Sequence, residues 1–263
     1  MDISIIILNY KSKDLVLNCL KSIKEADFGL LKYEIIVVDN NSQDGLKEIL
    51  ELQNLQIIFI ESAKNVGMGA GNNLGIRKAQ GEYIVIMNPD ITVFKETFKN
   101  IYDFMEVNSD VGLVGPKQFY PDQIVQTSCF RWYNLFTPIY RRLPLSKFNF
   151  VKKDLDRFLM KDYNKEDIKE VNWLLGSFLF CRAKALAEVG LFDEQFFMYF
   201  EDTDLCRRFW NKNWKVLYFP KAMVIHNHIR QSARVAWYKF FTSKITIYHI
   251  ISWLKYLIKW GIK

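Results

Sequence analysis

Short apolar runs separated by polar, helix-competent stretches set the pattern of the first hundred residues. Ile3–Leu8, Tyr33–Val38, Gln56–Ile60 and Tyr83–Met87 are rich in β-branched and aromatic residues and read as buried strands. Between the first two, Ser12 suits a helix N-cap, and Leu15, Val16, Cys19, Leu20 and Ile23 recur at helical spacing. A second helix is expected over Gln43–Leu52. The glycine-rich stretch Asn65–Gly75 reads as a loop feeding a helix that ends near Gln80. Strands alternating with helices in this way predict a mostly parallel, Rossmann-like α/β sheet flanked by helices.

Further on the pattern loosens. A helix from Phe94 to about Val107 and a strand at Val111–Val114 are expected. Residues 118–170 carry Pro121, Pro138 and Pro144 with a basic aromatic patch at Arg131–Arg142, and read as a long surface excursion. Val171–Phe180 resumes an apolar run, Arg182–Val189 is a short helix stopped by Gly190, and a helix is expected from the acidic cluster at 201–204 through Asn211. Lys215–Phe219 and Ala222–Ile225 read as strands leading to His226.

Polar groups at apolar-to-polar junctions are the candidates for chemistry, because ligands of open α/β sheets bind outside the carboxyl ends of the strands. Asp39 ends the second strand, and Asn88 and Asp90 flank Pro89 after the fourth. A carboxylate held there suits a divalent metal and a diphosphate, although Asp90 could equally cap the next helix and Asp39 form an Asx-turn. Glu201-Asp202-Thr203-Asp204 follows five aromatic or thioether residues, Phe196–Phe200. Such an apolar wall raises the proton affinity of a carboxylate, as a general base near neutral pH requires; the same acids would also suit the first turn of a helix. His226 could join Asp90 around one metal, whereas His228, two residues on, would point to the other face of a continuing strand. Gly67, Gly69 and Gly71 do not keep the dinucleotide-binding spacing, and no P-loop Lys-Ser/Thr follows.

The net charge of +7 conceals a division: residues 1–204 carry −5, and residues 205–263 carry +12 with no Asp or Glu. A polyanionic partner is expected. Lys244–Lys263, laid on a helix, places Ile247, Ile250, Ile251, Leu254, Leu257 and Ile258 on one face. Lys244, Ser252, Lys255, Lys259 and Lys263 fall opposite, with Trp253, Tyr256 and Trp260 near the boundary. Its longest uncharged run, Ile245–Leu254, is ten residues and too short to span a bilayer. A basic amphipathic tail over 233–263 fits an anionic membrane surface rather than nucleic acid, with packing on the domain or on a second subunit as the plainer alternative. The four cysteines form no CxxC pair, and no basic leader precedes the first strand, so a cytoplasmic protein peripheral to the inner face of the membrane is expected.

The order of motifs resembles family 2 glycosyltransferases of the bacterial rhamnosyltransferase-like branch. Ser4–Tyr10, Ile36–Ser42, Asn65-x-Gly67 through Asn73, Met87–Asp90, Trp173–Ser177, Phe200–Arg207 and His226 carry the match. The resemblance implies a GT-A fold over 1–232, with a nucleotide-binding half (1–115) and an acceptor-binding half (116–232). It implies that Asn9, Tyr10, Asp39, Asn65, Gly67 and Asn88 bind the nucleotide and that Asp90 and His226 hold Mn²⁺ or Mg²⁺. Asp202 would be the general base, and Trp173, Gly176, Ser177 and Glu201 would face the acceptor, with Met68 and its neighbouring glycines closing over the donor. Asn88 stands where the family's metal motif begins with an acid. The implied reaction is inverting transfer of a sugar from a dTDP- or UDP-linked donor, by analogy L-rhamnose, to a glycan or polyprenyl-linked acceptor for cell-surface polysaccharide. A binding protein without turnover and a nucleotidyltransferase are the competing classes; the first leaves Asp90, Asp202 and His226 without a purpose, and the second lacks a basic N-terminal glycine loop.

Overall fold

The computed structural model describes residues 1–53, 56–141, 144–145, 147–227 and 243–261. The N-terminal half runs β1 (Ile3–Asn9), α1 (Lys13–Lys24), β2 (Tyr33–Asp39), α2 (Leu46–Leu52), β3 (Ile58–Glu61), α3 (Met68–Ile76) and β4 (Tyr83–Met87). A short β5 (Ile91–Val93) precedes α4 (Thr97–Glu106) and β6 (Val111–Phe119). The excursion that follows contains β7 (Val125–Gln126), β8 (Cys129–Phe130), α5 (Thr137–Tyr140), α6 (Asn149–Phe158), β9 (Lys169–Glu170) and β10 (Trp173–Leu174). β11 (Phe178–Arg182), α7 (Ala183–Val189), α8 (Glu201–Asn211), β12 (Lys215–His226) and α9 (Lys244–Trp260) complete the chain.

The main sheet has the order β3-β2-β1-β4-β11-β6-β12-β5. The first four strands are parallel; β11 runs antiparallel to both β4 and β6, and β12 lies parallel to β6. β12 therefore points the same way as β4, and its C-terminal His226 reaches the same sheet edge as Asp39 and Asn88. The strand order reverses between β1 and β4, which opens a crevice between their carboxyl ends.

Alternation along the strands divides the core between two faces. Ile3, Ile5 and Ile7 pack with Val16, Cys19, Ile23, Phe98 and Ile101 of α1 and α4. Ile6 and Leu8 pack on the other face, which gathers Ile76 of α3, Leu186 of α7 and Leu205 and Phe209 of α8. The glycines of α3 belong to this packing: a Cβ on Gly71 would meet Leu8 at 2.7 Å, and one on Gly75 would meet Ile6 at 2.7 Å. From Met68 on, the 65–75 stretch is thus helix pressed on the sheet, and Gly71 and Gly75 serve that contact.

Other expectations are also corrected. Ser12 occupies the N-cap position without a side-chain cap, its hydroxyl donating to Tyr10 O. The Asp44 carboxylate instead accepts from Lys13 N, and Leu15 is exposed. α2 begins three residues later than expected, after left-handed Gln43 and Gly45. The 118–170 region is no plain surface loop: Phe130, Val151 and Phe158 are buried, with Phe130 stacked on Trp173 of β10.

Candidate active site

The carboxyl edge is built first around Asn9, fully buried at the end of β1. Its amide donates to Asp39 Oδ1 at 2.8 Å, Ser42 Oγ at 3.1 Å and Asp44 Oδ2 at 3.1 Å. Ser42 N donates to the other Asp39 oxygen at 2.9 Å. Asn9 and Asp39 thereby hold the β1–α1 and β2–α2 loops together. These loops and Asn65 line a cavity of about 740 Å³ whose walls include Tyr10, Lys11, Asn41 and Asp44. Asn40, buried beside it, receives Val66 N on its oxygen and donates its amide to Asn65 Oδ1 and Gly67 O. Gly67 has φ +92°, and a Cβ there would lie 2.3 Å from Phe197 O, so its glycine is required by close approach as well as by backbone angle.

The chemical centre depends on the adjacent pair Gly176 and Ser177. Gly176 N donates to Asp202 Oδ2 at 2.9 Å, and Ser177 O accepts from Asn88 N at 2.9 Å. Two consecutive residues thus tie the first turn of α8 to the turn that ends β4. The Ser177 hydroxyl donates to Gln118 Oε1 of β6. Gly176 faces Asp202 so closely that an added Cβ would stand 3.3 Å from Asp202 Oδ2. The chain turns into α8 through Tyr199 and Phe200, both left-handed at φ +70° and +67°. This geometry costs roughly 1–2 kcal/mol per residue, which the ring contacts of Phe200 with Tyr133 and Tyr256 help to offset.

Burial raises the Asp202 carboxyl above the ordinary range, against the opposing pull of its Gly176 and Thr203 N–H bonds. Glu201 is pushed up to about 8 by burial and then by the neighbouring Asp202 charge, and its Oε2 is buried without a hydrogen bond. An acid whose folded pKa exceeds its unfolded one favours the folded state at low pH and loses that advantage as pH rises through the folded value. Glu201→Gln is therefore expected to have a higher melting temperature than the parent at pH 8 and to lose that margin towards pH 5. Equal pH profiles for the two proteins in thermal melts would contradict it.

Asp90 and His226 meet. Their Oδ1 and Nε2 atoms are 3.3 Å apart, the His226 side chain nearly sealed and Asp90 at 17 % exposure. The other ring nitrogen, Nδ1, lies 3.0 Å from Gln126 Oε1, which holds the ring in place. Asp90 Oδ1 is buried and receives no hydrogen bond. A carboxylate oxygen and an imidazole nitrogen at this spacing are donor types that fit a divalent ion. Among the described residues no three His, Cys, Asp or Glu side chains cluster.

Trp173 is 3 % exposed, with its indole N–H donated to Arg131 O, so its visible work is packing. His228 lies outside the described residues. Asn40, Asp44, Gln118 and Gln126 had no sequence signal beyond being polar; partners 25 to 100 positions away define them.

Comparison with known proteins agrees with this geometry. The family model described as glycosyl transferase family 2 matches residues 4–159, and that of glycosyl transferase family group 2 matches 83–260. The chain is 26 % identical to rhamnosyltransferase WbbL of Escherichia coli K12, covering 97 % of this chain and 92 % of that one. It is also 26 % identical to the N-acetylglucosaminyl-diphospho-decaprenol L-rhamnosyltransferase of Mycobacterium tuberculosis, over 76 % of this chain and 68 % of the relative. Its fold superposes on the mannosyltransferase PcManGT of Pyrobaculum calidifontis, solved with GDP-Man and Mn²⁺, with a TM-score of 0.60 at 18 % identity, covering 88 % of this chain and 58 % of that one. Among the solved chains it resembles, the share it spans runs from 37 % to 62 %. With its parallel half-sheet, its antiparallel β11 and these matches together, the chain belongs to glycosyl transferase family 2, in the rhamnosyltransferase-like branch, and has the GT-A fold.

Proposed function

We propose that this chain transfers a sugar, with inversion, from a nucleotide donor to a glycan or polyprenyl-linked acceptor at the inner face of a membrane. L-rhamnose is the preferred sugar, by analogy with the relatives' names, and dTDP the preferred nucleotide, by analogy with the branch. The observation that carries the reading is the Gly176–Ser177 bridge, which couples a buried carboxylate of raised proton affinity to the turn holding Asn88 and Asp90.

In this reading the nucleoside occupies the cavity beside Tyr10 and Asn65, with Asp39, whose oxygens have lone pairs left over, bonded to Ser42 of its wall. Asp90 and His226 would hold Mn²⁺ or Mg²⁺, which when bound offsets the negative charge that builds on the leaving diphosphate. Asn88 is a neutral neighbour of that charge. Asp202, fixed by Gly176 N, takes the proton from an acceptor hydroxyl as its oxygen attacks the anomeric carbon from the side opposite the diphosphate. Burial suits Asp202 to this step, because a carboxylate with raised pKa is a stronger base. Glu201, protonated near neutral pH, adds no second charge beside it and can donate a hydrogen bond to the acceptor.

Asp90→Ala is expected to weaken donor binding at least about tenfold and to remove its sensitivity to EDTA. Titration calorimetry with dTDP-, UDP- and GDP-sugars, with and without chelator, checks this. A variant that binds donor like the parent, or a parent indifferent to all three donors, would contradict the reading.

A further inference from the structure

The tail helix docks the opposite way from a simple basic anchor. Its polar and aromatic side is turned to the protein: Ser252 Oγ donates to Met198 O, Lys255 Nζ to Gln195 O, and Tyr256 OH accepts from Arg207. Lys259 Nζ lies 2.7 Å from Asp204 Oδ1, and Trp260 Nε1 donates to the same oxygen. Two of the lysines expected on the open basic face are therefore spent on holding α9 to the domain. What α9 turns outward is apolar: Ile247, Ile251, Leu254 and Ile258, spaced as one helical stripe, are 42 to 86 % exposed.

A second apolar surface borders the same aromatic cluster. Tyr133, four residues before α5, meets Phe200 in a tilted ring contact at 5.0 Å, and the Phe200 ring also meets His249 and Tyr256 of α9. From there α5 and α6 expose Phe136, Ile139, Phe148 and Phe150. Lys147, Lys152, Lys153 and Lys244 flank these surfaces, are exposed, and form no ion pair among the described residues. No helix among the described residues is long and apolar enough to cross a membrane.

From these features we propose that the α9 stripe and the α5–α6 aromatic patch form one contact face for an anionic lipid bilayer, with apolar side chains entering the headgroup boundary and the flanking lysines meeting lipid phosphates. The proposal deepens the reading of a membrane-borne acceptor by naming the surface that meets the membrane. Charge selects the occupant: a second copy would set these lysines against each other and +7 against +7, whereas an anionic surface complements them.

The test is sedimentation of the full chain with vesicles of phosphatidylcholine alone and of phosphatidylcholine mixed with phosphatidylglycerol. The parent should bind only the anionic vesicles. Ile251→Glu with Leu254→Glu, and separately Phe150→Glu, should each weaken binding about tenfold or more per substituted side chain, while melting temperature stays that of the parent. Vesicle binding unchanged in both variants, or no binding by the parent, would overturn the proposal. So would a concentration-dependent dimer in light scattering that the α9 variant abolishes. Calorimetry of the same variants with donor separates the two ideas: intact donor binding with lost vesicle binding leaves the transferase reading in place.

Discussion

Asp202→Asn is expected to lower transfer by about 10²–10⁴-fold while leaving donor affinity within about twofold of the parent, the range over which a positioned base contributes. The amide keeps the shape of the carboxylate and can still accept the Gly176 N–H bond, while its NH2 then faces the Thr203 N–H that Asp202 Oδ1 accepts at 2.7 Å, so one of the two bonds at the start of α8 is given up. What disappears is a group able to take up a proton. The parent's rate should fall as pH drops through the raised Asp202 value, whereas the residual rate of the variant should not share that limb. Steady-state kinetics with calorimetry on the same preparation separate the outcomes. Lost donor binding would show Asp202 acting on the nucleotide side, and full activity would remove it from the chemistry.

Asp204→Ala is expected to be the most damaging single change to stability. Asp204 is fully buried two residues from Asp202 and engages three donors: Arg208 at 2.9 Å, Lys259 at 2.7 Å and Trp260 Nε1 at 2.8 Å. Removing the carboxylate takes the acceptor from Arg208 and Trp260 in a site with little water, while Lys259 keeps Asp193 at 2.6 Å, a loss of about 3–5 kcal/mol for breaking a buried pair. At roughly 2–4 °C per kcal/mol for a domain of this size, the melting temperature should fall on the order of 10 °C. Lys259→Ala should cost much less, because Arg208 and Trp260 still satisfy Asp204. The ordering of the two variants in a thermal melt is the check, and equal losses would show that α9 docks through its rings alone. Because the same carboxylate fixes α8 and α9, the tail is joined to the helix that carries Asp202.

The legible parts of this molecule were those whose signal is local. β1 to β4, α7 and α8 follow from β-branched runs, helical spacing and a stopping glycine. Asp39, Asp90 and His226 stood out because each ends an apolar run, and the topology brings them to one edge. β5 was hidden because three residues between a turn and a helix have no period to read. α3 starts at Met68, inside the stretch that reads as a loop, because a glycine-rich segment looks like a loop unless the side chains it must approach, Leu8 and Ile6, are known. Gln118 and Gln126 were invisible for a related reason: a lone glutamine acquires its meaning from Ser177 or His226, far along the chain. The orientation of α9 could not be read from its wheel, because an amphipathic pattern fixes two faces without saying which one the domain claims.

The claim on which the rest depends is that one sheet edge gathers the donor, its counter-charge and the base. A crystal soaked with a nucleoside diphosphate and Mn²⁺, phased to show anomalous scattering, tests it most directly. The account predicts a manganese peak contacting Asp90 and His226, with the diphosphate running from it towards the cavity beside Tyr10 and Asn65. A peak elsewhere, or a nucleotide bound away from that edge, would contradict it.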